Sequence, residues 1–534
     1  APIDLHLADM FGKPPRTELI DSDIPIVLSD LHADVSRIGD YLKDVLQQEA
    51  VACKDWLTNK VDRSVTGRVA MQQTAGEVQL PVNDFGLVAL DMSGEHGMAT
   101  SIGHAPGVAM VDPEAGSRLA VAEALTNLVF APLSHGLRGV SLSANWMWPA
   151  RQTGENARLY KAVKAISDIA VQLGINIPTG KDSLSMTQRY PDGSQVLSPG
   201  TVIVSALAQT DHVNKAVSAA LRPVSDTTLV YIPFTLSPLE LGGTALAQSL
   251  GATGTSCADL TEAAYFARAF GAVQAAMSQG MIMAGHDVSA GGLVTCLLEM
   301  VFPLQGMGIE VDSSDVDTTD ILKVLFAERP AVVVQTDKPD VLLDLLENSK
   351  VEGCLIARPR FGAKMNWKHR EWSGSWDLSQ LRQSWMRTSY LLDQRQCLPS
   401  LARHRFENVV NQPLGFIFPE GFSGQLDQFG LSHHRSARTG VKAAIIREKG
   451  VNGDREMAYA LFLAGFDVKD VHMTDLISGR ENLQDINFIV FVGGFSNSDV
   501  LGSARGWAGA FLHNPMAKQA LDDFYSRRDT LSLG

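Results

Sequence analysis

Glu123 and Asn127 put a carboxylate and a carboxamide one turn apart on a stretch that is otherwise apolar. In residues 112–130, DPEAGSRLAVAEALTNLVF, Asp112 reads as an N-cap and Pro113 as the first helical residue. Leu119, Ala120, Val121, Ala122, Ala124, Leu125, Leu128 and Val129 then run nearly all round the helix, which predicts burial. Residues four apart share a helix face, so Glu123 and Asn127 point the same way. A buried carboxylate is costly without a partner. Two partners fit this helix equally well. One is an arginine from another element. The other is Mg²⁺, which takes carboxylate and carbonyl oxygens and often bridges to phosphates.

Two more carboxylates stand at strand ends. Asp84 follows Val82 at the end of an expected strand. Asp287 ends the run MIMAGHDVS (281–289), just before Gly291-Gly292 and the helical run LVTCLLEM (293–300). A strand, a glycine turn and a helix start together offer free N–H groups to an anion. Asp84, Glu123, Asn127 and Asp287 thus compose a candidate Mg-nucleotide set, although Asp287 alone reads as a helix cap sooner than as a ligand. Gly180-Lys181-Asp182-Ser183 predicts a polar turn able to hold phosphate or hydroxyls, but it is not the GxxxxGK[ST] pattern. Gly493-Gly494-Phe495-Ser496 follows an apolar strand and would let a ligand reach backbone amides, as would any strand-end turn. His104, His286, His433 and His434 lack metal-ligand spacing, and His286 reads as an orienting or core residue. Trp146-Met147-Trp148 reads as core.

The elements that must position these groups alternate between strands and helices. Residues 1–53 hold a Pro-rich opening (13–16) and a helical stretch, and read as the end of one unit and a connector. Residues 54–224 read as one α/β or α+β subdomain and 225–365 as a partner subdomain. Residues 366–440 carry Trp367, Trp372, Trp376 and Trp385 and read as a helical connector and loop-rich linker. From 441 the pattern strand–helix–strand, then INFIVFVGG (486–494), predicts the opening of a doubly wound parallel sheet. The 534 residues carry a net charge of −14, which argues against nucleic acid, and hold no apolar run of membrane-spanning length. Five scattered cysteines without a CxxC pair speak against zinc or a disulfide framework, and predict a reducing, cytoplasmic setting.

In this order, the strings VDRSVTGRVA (61–70), SRLAVAEALTN (117–127), SANWMW (143–148), GKDSLSM (180–186) and LGGTALAQ (241–248) resemble one family. GHDVSAGGLVTCLLEM (285–300), NGDREMA (452–458), FVGGFSNSDVLGSARGWA (491–508) and TLSLG (530–534) extend the resemblance along nearly the whole chain. The family is that of the large multidomain phosphoribosylformylglycinamidine synthases, the FGAR amidotransferases of purine synthesis. The resemblance implies the end of a first synthetase half, a complete second half of AIR-synthetase-like fold, and the opening of a class I glutamine amidotransferase domain at 441–534. It implies an ATP-dependent ligase that converts FGAR and glutamine to FGAM through an iminophosphate, with further polypeptide on both sides as its partner. It assigns Asp84, Glu123, Asn127 and Asp287 to Mg²⁺, and Lys54, Asn83 and Ser289 to ATP or ADP. The nucleotide of this half is then auxiliary rather than catalytic. No catalytic residue is expected here, because the family's nucleophilic Cys follows TLSLG, beyond Gly534. Ala290 stands where the family has Asp, and Asn497-Ser498 interrupts its GGFSY pattern. Those departures favour the alternative of a non-catalytic nucleotide-binding relative with a structural or regulatory role, and the intact carboxylate set disfavours it.

Overall fold

The computed structural model describes all residues except 1–3, 7, 9, 11, 13–17, 62, 65, 66, 225, 413, 414 and 501. The Pro-rich opening at 13–16 and four residues of the quoted strings, Asp62, Val65, Thr66 and Leu501, lie outside the described set. The chain forms two compact units, one made of 1–61, 70–88 and 96–414, the other of 62–69, 89–95 and 415–534.

The first unit is built on two sheets. In one, the strands Gly97–Gly103, Thr201–Thr210, Ser141–Met147 and Asn176–Ser183 lie side by side. The other has seven strands in the order Ala284–Val288, Ala331–Thr336, Thr228–Pro233, Cys354–Phe361, Met307–Asp312, Lys364–His369 and Trp372–Asp377. Both faces of its first three strands are covered, so those strands are buried at every position. Leu229, Tyr231 and Val333 pack with helix Gly292–Val301, while Val230, Ile232, Val332 and Val334 pack with helix Ala263–Ser278. Continuous apolar runs follow from that two-sided burial, where alternation would mark a half-exposed strand. The sheet runs on to Asp377, past the boundary expected at 365. Trp367, on one of its strands, and Trp385, on the helix Leu378–Gln396 that follows, are core residues.

The helix Pro113–Leu128 forms as its cap and apolar run require. The Asp112 carboxylate accepts from Glu114 N at 2.8 Å and Ala115 N at 3.1 Å, satisfying two of the donors a helix start leaves free. Twelve of its sixteen residues are buried, so packing on the sheet rather than a one-sided stripe decides its stability. Asp112→Ala should therefore cost about 1 kcal/mol in urea unfolding, with the nucleotide response described below retained.

The expected turn at Gly180–Ser183 is instead the last part of the edge strand Asn176–Ser183, paired in parallel with Ser141–Met147. A Cβ at Gly180 would lie 2.4 Å from Ala144 O. The glycine serves close strand approach rather than a phosphate cradle.

The second unit holds a four-stranded parallel sheet, Asp467–His472, Lys442–Arg447, Phe488–Phe491 and Leu531–Leu533 in that order. Ala444 and Ile446 pack toward helices Ala504–His513 and Pro515–Ser526, and Ala443 and Ile445 toward helix Asp454–Leu463. Helices on both faces of a parallel sheet make the doubly wound arrangement expected from 441 onward.

Candidate functional site

The site is assembled from three elements of the first unit. Strand Ala284–Val288 pairs antiparallel with Ala331–Thr336, placing Asp287 opposite Val332. Asp84 lies in the loop between strands Leu80–Pro81 and Gly86–Ala89. Asn83 fixes that loop: its Oδ1 accepts from Ser218 Oγ at 2.7 Å and Ala219 N at 3.2 Å, and its Nδ2 donates to Gln72 O at 2.8 Å. Helix Pro113–Leu128 is pinned to strand Gly97–Gly103 by Ser101 Oγ, which donates to Ala124 O at 2.6 Å.

Asp84, His286 and Asp287 converge, with one ligand atom from each within 4.8 Å of the others. His286 Nδ1 lies 2.5 Å from Asp84 Oδ1, and its Nε2 lies 3.0 Å from Glu299 Oε2. Asp287 N donates to Asp84 Oδ2 at 3.3 Å, whereas Asp287 Oδ2 is buried and has no hydrogen-bond partner among the described residues. Burial raises the Asp84 carboxyl above its usual range. Burial and the neighbouring Asp84 push Asp287 well above it. Burial opposes protonation of His286, but Asp84 and Glu299 outweigh it and lift the ring well above its ordinary value. Two adjoining buried carboxylates with one orphaned oxygen are a donor set that suits a hard divalent cation.

A cavity of about 110 Å³ lies in the same unit, lined among others by His104, Glu123, Gly243, Ser289, Ala290 and Glu328. Among the described residues, Glu123 takes no arginine partner. Its Oε2 accepts from His104 N at 2.6 Å and lies 3.7 Å from His104 Nδ1. Glu328 is held at the cavity by two backbone donors, Ala245 N at 2.8 Å and Gly291 N at 2.7 Å, and burial pushes its carboxyl up to about 7.

The sequence-derived set is therefore divided. Asp84 and Asp287 come together, and Glu123 and Ser289 line the cavity. Asn127 Nδ2 donates to Ile102 O at 2.8 Å. Asn83 is bonded within the protein, as described. Lys54 Nζ donates to Glu49 O and Ala52 O, and burial lowers its pKa. Three groups were not singled out from sequence as site members. From sequence His286 reads as an orienting or core residue, and Glu299 and Glu328 carry no signal of their own.

Three family models match in succession: an FGAR-AT PurM_N-like domain over residues 53–209, the C-terminal domain of AIR synthase related protein over 232–358, and a CobB/CobQ-like glutamine amidotransferase domain over 440–534. Phosphoribosylformylglycinamidine synthase of Homo sapiens is 40% identical over 100% of this chain and 40% of its own length. The probable chloroplastic/mitochondrial phosphoribosylformylglycinamidine synthase of Arabidopsis thaliana is 36% identical over 100% of this chain and 38% of its own length. A solved structure, T. maritima PurL complexed with FGAR, is 15% identical and has a TM-score of 0.49, covering 65% of this chain and 53% of that one. The sequence likeness is unbroken: along its whole length the chain is similar to phosphoribosylformylglycinamidine synthases, and it spans about two fifths of the length of these curated relatives.

Proposed function

We propose that this chain provides a Mg-nucleotide site, and the opening of a glutaminase domain, to an ATP-dependent ligase that converts FGAR and glutamine to FGAM in purine synthesis. The observation that carries the nucleotide part is the buried Asp84–Asp287 pair with its orphaned oxygen. The whole-chain likeness to phosphoribosylformylglycinamidine synthases supports the reaction. FGAR, glutamine and ATP are then the small-molecule partners, and the remaining parts of the same polypeptide the protein partners.

Asp84 and Asp287 would hold Mg²⁺, with Glu123 and Asn127 completing its oxygen ligands. When bound, Mg²⁺ supplies charge neutralisation at phosphate oxygens. His286 orients Asp84 through its 2.5 Å contact, and Glu299 fixes the opposite edge of the ring. Asn83 sets the backbone of the Asp84 loop. Ser289, at the cavity wall, would face the nucleotide, and Lys54 would complete the set. This site binds nucleotide and metal rather than performing the chemical step. The reaction is proposed as cytoplasmic. Among the described residues, no helix is long and apolar enough to cross a membrane.

A ligand that binds only the folded chain stabilises it by about 2.7 kcal/mol at 100 times its Kd. Mg-ATP or Mg-ADP should therefore raise the Tm, and Glu123→Ala should abolish the rise. An undiminished shift in that variant refutes the metal assignment of Glu123.

A further inference from the structure

Two glycine-containing loops meet at the cavity from opposite sides of one strand. Thr228–Pro233 and Ala284–Val288 each pair antiparallel with Ala331–Thr336, which lies between them. Both neighbours end opposite Ala331: Pro233 and Val288 are its register partners. The chain beyond Pro233 leads to Leu241-Gly242-Gly243-Thr244, and that beyond Val288 to Ser289-Ala290-Gly291-Gly292. Glu328 sits three residues before Ala331, so the central strand delivers it between the two loops. One oxygen, Glu328 Oε1, accepts from both Ala245 N and Gly291 N.

Those two amides head the helices that follow the loops, Ala245–Ser249 and Gly292–Val301. The loops have little freedom otherwise. Gly243, at φ +75°, would bring a Cβ within 2.5 Å of Val108 N, and Gly292, at φ +74°, one within 2.6 Å of Leu325 O. Each loop is thus wedged against its own neighbour, and Glu328 is a side chain that ties one to the other.

We propose that Glu328 is a positioning residue that sets the spacing of the 241–244 and 289–292 loops, and through it the fit of a nucleotide's phosphate end in the cavity. The proposal rests on the nucleotide reading above. Its basis is the shared acceptor oxygen, not the charge: glutamine can keep a carbonyl oxygen in that place, whereas aspartate, one methylene shorter, cannot span both donors.

The test compares E328A, E328D and E328Q in this chain. Mg-ADP is titrated by calorimetry, and amide hydrogen exchange is followed at Ala245 and Gly291 without ligand. E328A and E328D should weaken Mg-ADP about tenfold or more and speed exchange at both amides, while E328Q should stay within about threefold of wild type with both amides protected. Should E328A fail to fold, the aspartate–glutamine contrast decides. E328D binding like wild type while E328Q binds weakly would show that charge matters and overturn the clamp. Unchanged Kd in all three variants would overturn it as well. A wild-type chain that takes no Mg-ADP refutes the nucleotide reading and the phosphate-fitting role with it; the exchange data then report separately whether Glu328 ties the loops.

Discussion

Asp287→Asn should stabilise the chain in EDTA and remove its response to Mg-nucleotide, two effects of opposite sign from one atom. Without metal, Asp287 places a second carboxylate beside Asp84 in a buried pocket, and its Oδ2 is left with no hydrogen-bond partner among the described residues. Like charges this close disfavour each other's ionised form, and an unsatisfied buried acceptor adds its desolvation cost. An amide of the same shape carries no charge and has an N–H₂ to offer a neighbouring oxygen. The expected gain is about 1–3 kcal/mol in urea unfolding of the EDTA-treated chain. The same change deletes an anionic metal ligand. The wild-type rise of about 2.7 kcal/mol at 100 times Kd should then disappear. An ordinary structural ion-pair network predicts the reverse: loss of stability in EDTA and no effect on ligand response. Asp287→Asn that destabilises the metal-free chain, or that keeps the full Mg-ADP shift, refutes the metal reading of this pair.

What the sequence reveals about the site depends on how far apart its parts lie. The Pro113–Leu128 helix is legible because its signals are local: Asp112 at the cap, Pro113 beside it and an apolar run behind them. Asp84 and Asp287 are 203 residues apart. Residue spacing alone offers no reason to join them; their shared place at strand ends makes them candidates for one set, and the family resemblance assigns both to one metal. His286 is adjacent to Asp287, so its orienting role could be suspected, but its second partner could not. Glu299 comes from helix Gly292–Val301, thirteen residues on, and reaches the ring only because that helix packs back beneath its own strand. Glu328 is less legible still, since its role comes from strand order and not from any neighbour in sequence. The strand Asn176–Ser183, whose end reads from sequence as a turn, is hidden for another reason. It lies at a sheet edge, with most of its residues exposed, so it lacks the apolar alternation by which strands are recognised.

Glycines carry a further layer that composition hides, and Gly103 shows its size. It ends strand Gly97–Gly103 where helix Pro113–Leu128 crosses. A Cβ there would stand 2.3 Å from both Ala120 O and Ala124 N. Both are backbone atoms within one turn of Glu123, so no rotamer change relieves the clash and the helix itself must move. Gly103→Ala should cost about 3 kcal/mol or more in urea unfolding, at or beyond the upper end of ordinary overpacking. It should also displace Glu123 from the backbone amide of His104, which lies next to Gly103, and so weaken the Mg-ADP response beyond what lost stability alone explains. The matched control is Gly271→Ala, inside helix Ala263–Ser278, where a Cβ meets nothing within 4 Å. There, removal of backbone freedom from the unfolded chain should raise stability by about 0.5–1 kcal/mol and leave the Mg-ADP response unchanged. If both alanines proved neutral, the close crossing of helix and strand, on which the position of Glu123 depends, would be wrong. A destabilised Gly103→Ala with an intact Mg-ADP response would instead separate the fold of this helix from the metal role assigned to Glu123.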